Sequence, residues 1–371
     1  MTGRRRVAIG LLLALYCFGA PVQFASQRSG LPERLANDEF WRLADELSEP
    51  GGFFNSDNLV SNEVTFQFVI PELVRIVEPG GVYVGVGPDQ NFTYMAAVEP
   101  AIAFITDVRQ GNRHVHLMYK ALFALSANRR EFLSRLFSRP APAGEHDAPV
   151  GELLTALTGA PPDAAGYEAN LAAVLGYLVR HRGEPLAPDD RDGIEFVMQQ
   201  FFLGGPEMTF VSNGGFRRNR YPSFVALQTA TDRAGVGHAY LSTEEKFHRI
   251  KRLQERNLVV PVVGNFGGPK ALRAVGSWVR ERGGVVTTFY TSNVEQYLFQ
   301  DSAWGRFRAN VASMPTDPTS TFIRSCFNNC SEPGGSRAVS LLDSVETLLE
   351  SVAAGRIRSY WDVLMHSRQG E

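Results

Sequence analysis

Cysteine is scarce in this chain: three residues in 371, namely Cys17, Cys326 and Cys330. That excludes a disulfide-dense scaffold, and no second Cys or His pair accompanies Cys326 and Cys330 to complete a zinc site. A surplus of basic charge is missing as well. The 37 basic and 39 acidic residues leave a net charge of −2, so no positive field grips a nucleic-acid backbone and no nucleic-acid partner is expected. The cluster Arg217, Arg218 and Arg220 is too short to change this and reads as solvated surface. Repeats and low-complexity tracts are absent, as are GxSxG, HExxH and the Walker A loop, which excludes the nucleophile-elbow hydrolases, the zincins and the P-loop enzymes. His114 and His116 stand two apart, on different sides of a helix, so no metal site is expected there.

What is present begins at the N-terminus, where Arg4, Arg5 and Arg6 precede the apolar run Val7–Ala20 and a polar segment with Ala25 and Ser26. The run is short of the ~20 residues that span a bilayer. Residues 1–26 therefore read as a secretory signal peptide, which makes the expected location periplasmic or secreted. The alternative is an uncleaved anchor that associates the protein with a membrane. Without this segment the chain is more acidic and keeps only Cys326 and Cys330, which in CFNNC are placed to close a small disulfide loop in an oxidising compartment.

Residues 27–371 read as one α/β domain. VYVGV, AIAFITD, NLVVPVVGN and VVTTFYTSN are short β-branched apolar runs, suited to strands buried on both faces. Helical stretches separate them, which predicts parallel pairing with right-handed crossovers and a three-layer α/β sandwich around a mainly parallel, Rossmann-like sheet. The pattern predicts one long helix from about Asn112 to Ser138. Ser242 with Glu245 predicts a capped start for the helix EKFHRIKRLQERN, and Pro269 and Gly283 bracket the helix after NLVVPVVGN. TFIRSCF reads as an edge strand and SLLDSVETLLESVAAG as a helix. Between about 139 and 195 the composition shifts to Pro, Ala, Gly and Asp around helical pieces, the mark of a helical insertion and a candidate lid.

In open α/β sheets ligands sit beyond the carboxyl ends of the strands. The residues there are Gly85 to Asn91, Asp107 with Arg109, Asn265, and Ser292 to Tyr297. Gly85 and Gly87 permit a tight turn and close approach of a ligand, but the dinucleotide fingerprint wants a glycine where Gln90 stands. Asp89, near the start of the next helix, repels a pyrophosphate that needs the positive helix end, and leaves room for a ligand with ribose, adenine and a cationic group. Asp107 follows Gly85 by about 20 residues, the spacing at which a carboxylate accepts from a ribose diol. Its alternatives are a helix cap or a pair with Arg109. Ser292 and Glu295 form another capping pattern, which makes Glu295 structural; Asn293 and Tyr297 are candidates to line the cleft. Asn62 and Glu63 precede the first strand and are placed to approach the same mouth.

GVGPDQNFTY, the spacing to Asp107 and the later strand ends resemble the cofactor half of class I S-adenosylmethionine-dependent methyltransferases, over roughly residues 60–310. More closely, SDNLVSNE, VYVGVGPDQNF, HLMYKALFALSANRREFLSRLFSR and VVGNFGGPKALRAV are similar to a bacterial family of uncharacterised, methyltransferase-like proteins. The resemblance implies S-adenosylmethionine as cofactor, held by Gly85, Gly87, Asp89, Gln90, Asn91 and Asp107, with Asp107 on the ribose hydroxyls. It also makes Asn265, Asn293 and Tyr297 the candidates to orient an acceptor. The sequence departs from the methyltransferase pattern at Tyr83, where an acidic residue is common, and at Asp89, where glycine is. The alternatives are an exported or anchored protein that binds a small molecule or partner on this scaffold without catalysis, and a nicotinamide-dependent oxidoreductase, which Asp89 and Gln90 oppose.

Overall fold

The apolar runs form four adjacent strands at one end of a single sheet. In the computed structural model, which describes residues 30–144, 147–210, 221–327, 330 and 338–369, the strands are β1 (Val82–Gly85), β2 (Ile102–Asp107), β3 (Val259–Val263), β4 (Val286–Ser292), β5 (Thr321–Phe327), β6 (Ala338–Ser344) and β7 (Arg368–Gln369). Every residue of β1, β2 and β3 is buried, which is why these runs are apolar throughout and do not alternate. The order is β3-β2-β1-β4-β5-β6-β7, parallel from β3 to β5, with β6 antiparallel to β5 and β7 antiparallel to β6. The fold is thus α/β with a mixed, mostly parallel sheet. From β1 the chain steps outward to β2 and β3, then crosses back to lay β4 on the other side of β1. That reversal opens a crevice above the carboxyl ends of β1 and β4.

Four elements differ from the sequence expectation. The predicted helix 112–138 is two helices, Gln110–Leu125 and Arg129–Phe137, because Asn128 caps the second by accepting from Glu131 N at 3.0 Å while Glu131 Oε2 accepts from Ala127 N at 2.9 Å. The helix Glu244–Glu255 is capped by Thr243 and not by Ser242, whose hydroxyl instead receives the Lys246 ammonium at 3.1 Å. TFIRSCF, β5, is an interior strand with β4 and β6 as neighbours. β6 takes the first part of what reads as a single helix, leaving only Val345–Ala353 helical.

The residues around 139–195 form the helices Val150–Gly159, Ala164–Arg182 and Pro188–Gly204, and the last two pack on Gln110–Leu125. Polar contacts fix this docking. Trp41 Nε1 donates to His181 Nδ1 at 3.0 Å, His181 Nε2 meets Asn257 Oδ1 at 2.9 Å, and the buried Lys120 ammonium donates to Asn257 Oδ1 and Gln254 O at 2.5 and 2.8 Å. Burial holds His181 down to about 4 and Lys120 down to about 7. A disulfide joins Cys326 and Cys330 at the end of β5. No helix among the described residues is long and apolar enough to cross a membrane. Residues 1–26, the signal or anchor segment, and the cluster Arg217, Arg218 and Arg220 lie outside the described residues.

β5 carries a fully buried arginine. Arg324 Nε and Nη2 bind Glu295 at 2.6 and 3.1 Å, and Nη1 binds Asp343 Oδ2 at 2.6 Å. Glu295 is therefore structural, as expected, but through this ion pair and not through a capping box, since Asn293 precedes its helix and Ser292 turns elsewhere. The Arg324 side chain ties the β5–β6 pair to the helix Val294–Gln300 beside the crevice. Removing it leaves two buried carboxylates without their cation. We expect Arg324→Leu to lose about 3–5 kcal/mol in urea unfolding, with Glu295→Gln losing less because Asp343 still holds the guanidinium.

Candidate functional site

The crevice holds a cavity of about 310 Å³. It is lined by the turn after β1 (Val86, Gly87, Pro88), the end of β2 (Thr106 to Arg109), the end of β3 (Gly264 to Phe266), the end of β4 and following helix (Tyr290, Ser292 to Leu298 in part, Asp301), and a roof from Phe53 to Glu63 in part. Among these, the sequence-predicted Gly87, Asp107, Asn265, Asn293 and Tyr297 come together. Gly85, Asp89, Gln90 and Asn91 do not line the cavity; they support its floor.

Asn91 sets the shape of the turn. Its Nδ2 donates to the carbonyls of Val86, Gly87 and Pro88 at 2.9, 3.2 and 2.7 Å, and its Oδ1 accepts from Tyr83 OH at 2.9 Å. A Cβ on Gly85 would stand 2.0 Å from that Oδ1, so this glycine exists for Asn91 and not for a ligand. Gly87, at φ 77°, is in the left-handed region that glycine occupies without strain, and it borders the cavity. Beneath the turn, Phe92 makes edge contacts with His116, Tyr119, Phe123 and Tyr240, and His116 Nε2 lies 2.9 Å from Gly87 O. Buried there, His116 is pushed down to about 4 and stays neutral, donating to that carbonyl.

Asp89 points away from the cavity. Its Oδ2 accepts from Tyr240 OH and Gln228 Nε2, both at 3.2 Å, and burial raises it to about 7. Gln90 turns toward the roof, where Nε2 donates to Glu63 Oε2 at 2.7 Å and Oε1 accepts from Ser61.

Asn62 and Glu63, placed by the sequence at the mouth, both line the cavity, but the sequence does not show how Glu63 is bonded. Glu63 is 1% exposed, and its Oε1 accepts from Tyr290 OH at 2.8 Å and from Ser292 Oγ. Burial and the nearby Glu63 charge push Tyr290 well above the ordinary tyrosine range, so it remains a donor. No Lys, Arg or His among the described residues forms an ion pair with Glu63. Tyr290, invisible as a site residue in the apolar run TTFYT, is placed here by the outward alternation of β4.

Asp107 carries the opposite arrangement. Its Oδ1 accepts from Arg109 N and Nε at 2.9 and 3.0 Å, and its Oδ2 from Nη2 at 2.7 Å. Arg109 Nη1 continues to the carbonyls of Ser56 and Asp57, so one guanidinium fastens the roof to β2. Phe54 meets Tyr297 edge-on at 5.4 Å, and Phe53, 89% exposed, stands at the mouth. The roof thus comes from the glycine-rich segment before β1. The helical insertion contributes no residue to the lining, so it is not the lid. Asn265 Oδ1 accepts from Gly267 N at 2.8 Å, a local turn bond.

Electrostatics limit what this cavity accepts. Three carboxylates, Glu63, Asp107 and Asp301, line it against one guanidinium, itself engaged with Asp107. The adjacent helix starts carry their own acids: Asp89 before Gln90–Val98, Glu295 in Val294–Gln300, and Glu49, whose Oε1 accepts from Lys270 N and Ala271 N at 2.8 and 2.6 Å. Of these only Glu49 caps N–H groups directly; Asp89 makes no side-chain cap bond and Glu295 is held by Arg324. A hydrolase-like chain also occurs elsewhere: Ser351 Oγ lies 2.9 Å from His366 Nε2, and His366 Nδ1 lies 2.9 Å from Asp343 Oδ1. Ser351 is 3% exposed and already accepts from Arg356 at 2.8 Å, so this chain fastens the C-terminal helix to β6 and offers no nucleophile to a substrate. The described residues contain no cluster of three or more metal-ligating side chains.

The raised Asp89 gives a test of the floor. Its folded state holds a proton that the unfolded chain releases near 3.8, so its contribution to stability is full below that value and is lost as pH rises through about 7. His116, lowered, contributes with the opposite slope, so wild type alone does not isolate Asp89. The stability difference between Asp89→Asn and wild type should grow in favour of the variant from pH 4 to pH 7 and level off above it, read by urea unfolding at each pH.

A family profile described as a domain of unknown function (DUF7790) matches residues 58–146 and 216–348. These segments contain Glu63, Gly87, Asp107, Arg109, Asn265, Tyr290 and Ser292, and the span between them includes the helices of the insertion. No curated protein matches the chain.

Proposed function

Since the chain belongs to the DUF7790 family, a domain of unknown function, we propose from its site that it binds S-adenosylmethionine on a three-layer, Rossmann-like scaffold and transfers its methyl group to an acceptor. The observation that carries this reading is a net-negative cavity at the point where the strand order reverses between β1 and β4. Such crevices take nucleoside ligands, and this one disfavours a pyrophosphate and favours a cation. The volume, about 310 Å³, lies at the lower end of the roughly 300–1,000 Å³ of small-molecule sites.

The residues suit such a group. Gly87 presents backbone without a side chain at the cavity wall, and a Cβ built there meets nothing closer than Asn58 Nδ2 at 3.8 Å. Of the roughly four acceptor positions on the Asp107 carboxylate, three are used by Arg109, leaving Oδ2 able to accept from a hydroxyl. When bound, the cofactor supplies an electrophilic methyl on a sulfonium. The chain's own task is alignment and exclusion of water, which needs no covalent nucleophile. Phe54 and Tyr297 close the mouth, and Asn293 and Tyr297 are the side chains we assign to orient an acceptor.

A second reading is binding without transfer, in an exported protein. Two observations favour it: the Cys326–Cys330 disulfide suits an oxidising compartment, away from cytosolic S-adenosylmethionine, and the Asp107 charge is already paired with Arg109. Ligand-induced stabilisation separates adenosyl binding from none. S-adenosylmethionine or its demethylated product at 100 times Kd should stabilise the protein by about 2.7 kcal/mol, read as a raised melting temperature, with a smaller rise for Asp107→Ala against its own ligand-free value. No rise with either ligand at millimolar concentration overturns adenosyl binding.

A further inference from the structure

We infer that Glu63 is the specificity-determining residue of the cavity, selecting ligands that carry an ammonium group; this rests on the adenosyl reading above. Glu63 lies in the loop before the helix Ile70–Ile76 that leads to β1, outside the glycine turn and outside the strand-end Asp107. Its burial at 1% takes a carboxylate out of water, and burial of an ionised group is costly unless it is paired and hydrogen-bonded. Its hydrogen bonds are all to neutral donors: Tyr290 and Ser292 on Oε1, and Gln90 on Oε2. No Lys, Arg or His side chain among the described residues pairs with its charge.

The count of acceptor positions shows where the cation goes. Oε1 has both of its positions filled, whereas Oε2 receives only the Gln90 amide at 2.7 Å and keeps one position open. That position requires an N–H or O–H donor, which a sulfonium lacks and an ammonium supplies together with its charge. The donors themselves are fixed. Gln90 Oε1 is held by Ser61, the Tyr290 ring lies tilted against Tyr94 with centroids 5.1 Å apart, and Tyr94 accepts from Gln90 at 3.2 Å, so the groups that hold the carboxylate are themselves held.

Spacing fits a ligand that reaches both ends. Glu63 is bonded to side chains of β4, and Asp107 ends β2, with β1 between them. At about 4.8 Å per strand, the two carboxylates serve groups roughly 10 Å apart, one hydroxylic and one cationic. An ammonium on the opposite end from a ribose is such a group.

The experiment is calorimetric titration of the full chain with S-adenosylhomocysteine and with its deaminated analogue, in which hydrogen replaces the ammonium. Wild type should bind the former on the order of 10–100-fold tighter, the worth of one charge-assisted hydrogen bond. In Glu63→Gln that ratio should fall to within threefold of unity while the affinity for the deaminated analogue is kept. Equal binding of the two ligands by wild type overturns the role of Glu63 and leaves the adenosyl reading standing, and this comparison holds even where the variant does not fold. A ratio preserved in folded Glu63→Gln also overturns it. Binding of neither ligand by wild type overturns the adenosyl reading and this inference with it.

Discussion

Much of the site depends on one side chain that no ligand touches. Asn91 spends its amide on three consecutive carbonyls of the turn after β1 and its carbonyl on Tyr83. The turn is therefore shaped from within, before any ligand arrives, and the work that a run of glycines and a bound phosphate do in a dinucleotide loop is done here by an asparagine. Tyr83 and Asp89 each have a local role in this arrangement: Tyr83 supplies a donor to Asn91, and the side chain of Asp89 leaves through the back of the turn toward Tyr240.

The placement of charge follows from the same geometry. Asp89, turned inward, cannot act on a ligand by contact, yet the cavity remains acidic because Glu63 replaces it from a different segment. Glu49 occupies the N–H groups at the start of the helix after β3, one of the dipoles that open α/β sheets ordinarily direct at phosphates. What remains is a crevice in which three carboxylates face one guanidinium, and such a wall treats an anion as an intruder.

The parallel part of the sheet was legible because β1 to β4 are short β-branched and aromatic runs, buried almost throughout, with helical stretches between them. β6 was not, since AVSLLDSVETLLE keeps an apolar rhythm that suits a helix, and only pairing with β5 selects a strand for its first part. The break at Asn128 was written in the sequence as Asn-x-x-Glu, a capping signal hidden inside a continuous amphipathic pattern. For the site, strand ends pointed to Asp107, Asn265, Asn293 and Tyr297, and topology alone explains why. The direction of Asp89 and the bonding of Glu63 were beyond reach. Glu63 finds its partners 27, 227 and 229 positions away, and no local pattern encodes contacts at such separations.

The guanidinium of Arg109 connects the roof to the carboxylate that a hydroxylic ligand would seek. Its nitrogens divide the work: Nε and Nη2 orient the carboxylate, while Nη1 anchors residues 56 and 57. A hydroxyl that takes the remaining position on Oδ2 therefore meets a carboxylate already aimed and a mouth already sewn, so the ordering of both is completed at folding and does not weigh on binding.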